Sequence, residues 1–107
     1  MTRYAFSEGV FHIDPMPGQP QIAHCHGFVV FEHMRGKGNG HALKRRQMGL
    51  LREGKFNFAT CTVAKENLAQ QSILAKAGWR GMESFYNSNT GGSTQLWGWH
   101  VNHLEGC

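Results

Sequence analysis

Apolar runs separated by glycine and proline divide the sequence into strand-like and helix-like segments. Short alternations of apolar and polar residues predict two strands near the N-terminus, at 4–7 and 10–13. After a proline-rich turn at 15–20, the run 21–31 is the most strand-like in the chain and is typical of a central strand covered on both faces. Gly27 interrupts this run, and a glycine inside a strand often marks a bulge or the close approach of a ligand.

The rest of the pattern predicts two helices, each of which follows a strand. The expected elements are a helix at 41–52, a strand at 56–63, a helix at 67–77 and a hairpin with strands at 79–86 and 94–101. On the first helix the leucines fall on one side, so we expect the basic run Lys44-Arg45-Arg46 to lie on a solvated face. This order of elements predicts an α/β fold with one mixed sheet and two main helices.

Length, charge and cysteine usage narrow the class of protein. The chain has 107 residues, which suits a single domain over 1–107, and its formal net charge of +4 suits an anionic ligand. No apolar run approaches the roughly 20 residues of a membrane span, and the first residues lack the features of a signal peptide. The cysteines, Cys25, Cys61 and Cys107, are odd in number and widely spaced, which favours reduced thiols. We therefore expect a cytoplasmic protein.

A glycine-dense turn at 35–40 connects the long strand to the first helix. The free amides and the positive dipole end of a helix N-terminus attract anions, and glycines let the backbone approach a phosphate. A P-loop is excluded because Lys37 is followed by Gly38 rather than by serine or threonine. The dinucleotide fingerprint G-x-G-x-x-G is excluded because His41 stands where its last glycine is required. The turn therefore predicts a phosphate site of another kind.

Two motifs resemble those of the GNAT superfamily of acyl-CoA N-acyltransferases. Arg35-x-x-Gly38-x-Gly40 resembles the (Gln/Arg)-x-x-Gly-x-(Gly/Ala) signature whose amides hold the pyrophosphate of coenzyme A. The segment 67–79 resembles the Asn-led helix that ends in Gly-Phe, with Trp79 in the aromatic place, and the whole resemblance covers about residues 21–101. It implies a mixed, largely antiparallel sheet with splayed central strands, and transfer of an acetyl group from acetyl-CoA to an amine.

The resemblance assigns coenzyme contacts to three parts of the chain. The amides of the turn would hold the pyrophosphate, and the backbone of the long strand would pair with the pantetheine arm. Asn67 would touch that arm, unless it serves only as a helix N-cap. The residues implied in coenzyme binding are Phe28, Val29, Val30, Arg35, Gly36, Lys37, Gly38, Asn39, Gly40, His41 and Asn67.

Acyl transfer to an amine needs a base with a pKa near neutrality. In the family a glutamate on the long strand often serves, and His24 occupies that position here. His26 lies two residues further on, shares the same strand face and is the second candidate; a buried histidine without catalytic duty is the alternative for either. Alternation sends Cys25 to the opposite face, so His24-Cys25-His26 does not converge on a metal, and we expect no metal site.

Two departures from the family keep other functions open. Leu74 replaces the tyrosine that acts as general acid, so water or Tyr86 would have to protonate the leaving thiolate. Only about twenty residues precede the long strand, where the family has a strand and two helices. We therefore expect an acceptor groove open on one side, suited to an amine on a protein or walled by a second copy of the chain. The alternatives are a non-catalytic module that binds acyl-CoA or a partner, and a small basic nucleic-acid-binding domain whose stacking residues would be Phe85, Tyr86, Trp97 and Trp99.

Overall fold

The computed structural model describes residues 2–101, so Cys107 lies outside the described residues. The elements in chain order are β1 (Thr2–Ala5), β2 (Gly9–Met16), β3 (Gln19–Val30), a 3-10 turn (Glu32–Met34), α1 (Asn39–Glu53), β4 (Phe58–Ala64), α2 (Leu68–Lys76), β5 (Arg80–Asn87) and β6 (Gly92–His100). No helix in this part of the chain has the length and apolar character needed to cross a membrane.

The six strands form one sheet in the order β1-β2-β3-β4-β6-β5. β3 and β4 run parallel, and the other neighbouring pairs are antiparallel. The predicted α/β class, with a mixed and largely antiparallel sheet and two helices, is therefore confirmed.

The turn predicted over 15–20 is shorter in the structure, where it comprises only Pro17 and Gly18. Pro15 is accommodated in β2 because β1 pairs with β2 only as far as Ile13. Among residues 2–101, β2 has one neighbouring strand beyond that point instead of two, which is the setting in which a strand tolerates proline.

β3 and β4 lie side by side over only a short stretch. Their paired residues run from Ile22 with Phe58 to His24 with Thr60, and within residues 2–101 no later pair joins the two strands. β3 continues to Val30 and β4 to Ala64, so both strands present backbone groups to a gap that opens between them. The splayed central strands implied by the resemblance are present.

Gly27 forms a bulge beside this gap. Its φ is +65°, and the pairing of β2 with β3 changes register between Val10 and His12. A Cβ at position 27 would lie 2.6 Å from Nδ1 of His12, so both the backbone conformation and the packing require glycine. The bulge or close approach predicted for Gly27 is confirmed.

The two helices pack against one face of the sheet, which we call the helical face. Its buried side chains and those of the helices form the core, which includes Phe11, Ile13, Ala23, Cys25, Leu43, Leu51, Ala59, Cys61, Val63, Leu74 and Trp99. The strand residues that alternate with them lie on the other face, which we call the open face. His12, His24, His26 and Thr60 belong to the open face, and neither α1 nor α2 covers it.

Lys44 contradicts the prediction that the basic run is solvated. Its side chain is 1% exposed, whereas Arg45 is exposed and Arg46 donates two hydrogen bonds of 3.1 Å to the carboxylate of Glu8. The prediction is wrong for Lys44 because α1 packs against both the sheet and α2. The buried face of α1 therefore extends beyond its leucines and includes Lys44.

Candidate active site

The glycine turn leaves the N-terminus of α1 open. Gly36 and Gly38 have φ values of +78° and +79°, and a Cβ at either position would meet no atom within 4 Å. Gly38 is the N-cap of α1, and no side chain caps the helix there. The amide of Ala42 donates to the carbonyl of Gly38, so the amides of residues 39–41 precede the first turn of intrahelical bonds. Such amides, at the positive end of a helix dipole, form the arrangement that an anion site needs.

Other residues of the turn maintain its shape. Nε of Arg35 donates to the carbonyl of Val30 at 3.0 Å, and Nδ2 of Asn39 donates to a carbonyl of the 3-10 turn at 2.7 Å. Gly40 faces α2, where an added Cβ would lie 2.6 Å from Cδ1 of Ile73. A side chain at position 40 would therefore displace the end of the Ile73 side chain, whether or not a ligand is bound.

Two adjoining cavities extend from the turn into the gap between β3 and β4. The outer cavity, of about 450 Å³, is lined by Phe28, Val29, Val30, Arg35, Gly36, Gly40, Asn67, Ala69, Gln70 and Ile73. The inner cavity, of about 230 Å³, is lined by Cys25, His26, Gly27, Phe28, Lys44, Gln47, Cys61, Thr62, Val63, Ala64, Asn67 and Gln70. Because they share Phe28, Asn67 and Gln70, the two cavities form one cleft.

Most residues predicted to bind the coenzyme border the outer cavity. Seven of them line it: Phe28, Val29, Val30, Arg35, Gly36, Gly40 and Asn67. The remaining ones lie next to it, in the turn or in the first turn of α1: Lys37, Gly38, Asn39 and His41. The folded chain thus brings residues of both sequence motifs into the lining of the same cavity.

The second motif has a clear structural role in fixing the ends of α2. Oδ1 of Asn67 accepts a hydrogen bond from the amide of Gln70 at 3.2 Å, so Asn67 is an N-cap as well as a residue of the cleft. At the other end Gly78 has a φ of +92°, and the amide of Trp79 donates to the carbonyl of Leu74 at 3.0 Å, as in a Schellman motif. Residues of the second motif therefore cap both ends of α2, the helix that lines the cleft.

His26 faces the cleft and is held by a carboxylate. Its Nε2 donates to Oδ2 of Asp14 at 2.6 Å, because an ionised carboxylate can only accept. Its ring stacks between those of His12 and His24, at centroid distances of 5.0 and 5.7 Å. That hydrogen bond lowers the pKa of Asp14, so Asp14 is ionised at neutral pH. An imidazole hydrogen-bonded to a carboxylate is the arrangement that a general base with an orienting group requires.

His24 lies one step further from the cleft. Its Nδ1 is 3.0 Å from Oγ1 of Thr60, at the last pair before the strands diverge. Partial burial lowers the pKa of His24, and the neighbouring His26 lowers it further, so its ring is neutral at pH 7. The structure thus brings both candidate bases together, but His26 lines the inner cavity and His24 does not.

Asp14 is the residue of this group that sequence reasoning missed. It lies on β2, twelve residues before His26, and pairs in register with His24. The sequence does contain a signal for this contact, because Asp14 stands two positions after His12 and so shares its strand face. The signal could not be used without the register of the hairpin.

Neither Tyr86, which was considered as the proton donor, nor the two buried thiols are placed for proton or group transfer. Leu74 is fully buried, and Tyr86 is 72% exposed on the edge strand β5 and outside both cavities. Burial raises the pKa of Cys25 to about 12 and that of Cys61 to about 11, so both free thiols are protonated at neutral pH.

Trp99, one of the residues considered for base stacking, is buried against Trp79 with a ring separation of 5.7 Å. It is therefore a core residue and cannot stack on a base. Among residues 2–101 no group of three or more His, Cys, Asp and Glu side chains is arranged to hold a metal ion.

No protein-family model and no curated protein sequence matches the chain, but solved structures do. An IAA acetyltransferase from Bacillus cereus ATCC 14579 superposes with a TM-score of 0.77 at 16% identity, over 86% of this chain and 69% of its own. An acetyltransferase from Salmonella typhimurium, solved with acetyl-CoA, gives 0.77 at 12% identity, over 88% and 58%. An acetyltransferase of the GNAT family from Streptococcus pneumoniae gives 0.74 at 15% identity, over 87% and 59%.

The chain thus spans 58–69% of the length of these proteins. Sequence identities of 12–16% together with these TM-scores show a shared fold and do not show which substrates the chain uses. The superposition extends over 86–88% of this chain. Residues 2–101 have the fold of the GNAT acetyltransferases.

Proposed function

We propose that this chain is an N-acyltransferase, which takes an acyl group from a coenzyme A thioester, with acetyl-CoA as the simplest donor, and transfers it to an amine. The observation that carries the proposal is the cleft. It has an uncapped helix N-terminus at one end, and at the other an imidazole held by a carboxylate beside two diverging strands. The GNAT fold supports the same reaction.

Each part of coenzyme A has a matching group along the cleft. The diphosphate fits the amides of residues 36–41, with Arg35 and Lys37 as nearby positive charges. The pantetheine arm contains amides, and the backbone of residues 28–30 faces the gap without pairing to β4. An amide-bearing arm can bind there as an added strand does. The thioester then reaches the inner cavity beside His26.

His26 is the proposed base of the reaction. Nδ1 of His26 removes a proton from the ammonium form of the acceptor, and Asp14 orients the ring and stabilises the resulting imidazolium. The neutral amine nitrogen bonds to the thioester carbon, the carbon–sulfur bond breaks, and coenzyme A leaves as a thiolate. The second proton, which the nitrogen loses as the amide forms, passes through water to the thiolate, and His26 releases the first proton to solvent. Main-chain amides of β3 that face the gap are the available donors for the oxyanion. His24 is the second candidate base, since its lowered pKa keeps it neutral.

The acceptor reaches His26 from the open face. Neither helix covers this face, so the approach is wide enough for an amine carried by a protein, such as a lysine or an N-terminus. The alternative is that a second copy of the chain covers this side of the site. The free thiols of Cys25 and Cys61 fit a cytoplasmic location for the reaction.

Coenzyme binding without catalysis is the second candidate function. It is favoured by Leu74, which is fully buried at the position where the family has its proton donor, and by the exposure of Tyr86 outside the cleft. A module of this kind would bind coenzyme A thioesters along the same cleft and leave the acyl group in place.

Titration calorimetry with acetyl-CoA, followed by an assay for free coenzyme thiol with added amines, tests both functions. We expect one coenzyme per chain and thiol release that requires an amine. In His26→Asn binding should persist while release slows by about 100-fold or more. His100→Asn is the matched control, because His100 lies at the end of β6 outside both cavities.

Thiol release at the wild-type rate in His26→Asn would show that His26 is not the base. Binding of acetyl-CoA without release to any amine would favour the non-catalytic module. If the chain bound no coenzyme A thioester at all, both proposals would be wrong.

A further inference from the structure

Lys44 is a buried cation without a carboxylate partner. Its side chain is 1% exposed, and its Nζ donates to Oε1 of Gln47 at 2.6 Å. The ammonium also lies 4.6 Å from the ring centroid of Phe28 and 4.4 Å from that of Trp79. The ion pairs observed within residues 2–101 involve other cations, so none of them neutralises Lys44.

The other groups around Lys44 do not supply the negative charge. The thiols of Cys25 and Cys61 are neutral at pH 7, since burial raises their pKa values to about 12 and 11. The two aromatic rings attract a cation only through their π faces, which is a weak interaction. Burial accordingly lowers the pKa of Lys44. An ammonium buried in this way is costly for a fold unless it meets an anion.

Gln47 adds an unsatisfied donor at the same place. The residue is fully buried, its Oε1 accepts from Lys44, and its Nε2 has no hydrogen-bond partner among the described residues. Buried amide donors are nearly always paired, so an acceptor in the cavity, whether water or part of a ligand, would complete the hydrogen bonds of Gln47. Lys44 and Gln47 both line the inner cavity from the helical face, whereas His26 lines it from the open face.

The inner cavity also offers more space than an acetyl group needs. Its volume is about 230 Å³. An acetyl group occupies roughly the volume of two water molecules, at about 30 Å³ each. A carboxylate in the remaining space would bring one negative charge and two acceptor oxygens, which match an ammonium and an amide donor at once.

We propose that Lys44 and Gln47 bind a carboxylate at the far end of the acyl chain, so that the donor is the coenzyme A thioester of a dicarboxylic acid, such as succinyl-CoA. This inference rests on the proposed function, because it places the thioester in the gap between β3 and β4. The thioester carbon then lies between His26 and the carboxylate pocket. The amine nitrogen bonds to that carbon and the thiolate leaves, while the distal carboxylate is unchanged. The acceptor nitrogen thus loses its positive charge, and the acyl group adds a negative charge to the acceptor.

Titration calorimetry with succinyl-CoA and butyryl-CoA tests the pocket, because the two acyl chains have equal length and differ in the terminal carboxylate. The wild-type chain should bind succinyl-CoA about 10- to 100-fold more tightly. In Lys44→Met the two affinities should agree within about threefold. Lys76→Met makes the same change at an exposed lysine in the last turn of α2 and should keep the wild-type ratio.

A thermal melt of each variant shows whether it folds. If Lys44→Met does not fold, Gln47→Leu gives the second test, with an expected loss of about 3- to 10-fold in the same ratio. Equal affinities in the wild type, or an unchanged ratio in the variant that folds, would overturn the carboxylate pocket and leave acyl transfer standing.

Two further results would count against the inference. The first is tight binding of free succinate to the chain already loaded with coenzyme A, with an affinity that accounts for the whole gain from the succinyl group. It would show a site for free anions and not for an acyl chain. Failure of every coenzyme A thioester to bind would overturn the proposed function, and the inference with it.

Discussion

Gly38→Asp separates an anion site from an ordinary turn more sharply than any other substitution in the chain. A Cβ at position 38 meets no atom within 4 Å, so the new side chain extends into the space beside the amides of residues 39–41. A diphosphate held by those amides would lie next to the new carboxylate, at a charge separation on the order of 5 Å. At an effective dielectric constant between about 20 and 80, two like charges at that distance repel by about 1–3 kcal/mol. The affinity for coenzyme A should therefore fall about 5- to 150-fold.

Two control variants isolate the charge from the backbone strain. Gly91 has a φ of +76° and open surroundings, as Gly38 does, but it lies in the turn between β5 and β6, outside the cleft. Gly91→Asp should cost about the same stability as Gly38→Asp, roughly 1 kcal/mol, and leave coenzyme binding unchanged. Gly38→Asn has the size of the aspartate without its charge and should lose much less affinity.

Calorimetry with coenzyme A at low and at high salt is the assay. Because salt screens exposed charges, the loss in Gly38→Asp should shrink as the salt concentration rises. If Gly38→Asp and Gly91→Asp bound coenzyme A equally well, the reasoning that places a diphosphate at this turn would be refuted.

Three further outcomes follow from the packing and the pKa shifts. Gly40→Ala should be less stable than Gly49→Ala by about 1 kcal/mol, because its Cβ would push the end of the Ile73 side chain aside, whereas a Cβ at position 49 meets open space; equal stability of the two variants in urea would contradict this. The lowered pKa of His24 means that the unfolded chain binds its proton more readily, so stability should fall as pH drops below about 6.5, and a His24→Gln variant with the same pH dependence would exclude His24 as the cause. Asp14→Asn should reduce kcat and leave the Kd of acetyl-CoA unchanged; a weaker Kd with an unaltered kcat would place Asp14 in binding instead.

The order of the elements could be predicted because its signals are local. Gly27 inside a strand-like run predicts a bulge, and Gly78 after a helical run predicts a helix end; both have the positive φ that glycine allows. The helix and hairpin boundaries from residue 39 onward differ from the predicted ones by at most two residues. The splay of β3 and β4 was implied only by the resemblance, since no local pattern shows where two strands part.

Lys44 and Asp14 could not be placed from the sequence, because both depend on contacts between distant segments. Apolar periodicity assigns a lysine to the surface, and only the packing of α1 against both the sheet and α2 shows that Lys44 is inside. Asp14 meets His26 because the register of β2 on β3 pairs Asp14 with His24 and His12 with His26, which places all four side chains on one face. A slip of one residue would have turned Asp14 to the helical face. The coenzyme contacts of the turn remain a prediction.

Backbone NMR of the chain during a titration with acetyl-CoA tests the central claim most directly. The amide resonances of residues 36–41 and 28–30 should shift together, because the diphosphate and the pantetheine arm are proposed to contact those main-chain groups. Hydrogen exchange at residues 28–30 should slow as the arm pairs with β3. Shifts confined to β5 and β6, or exchange at residues 28–30 that stays as fast as in the free chain, would contradict the proposed site.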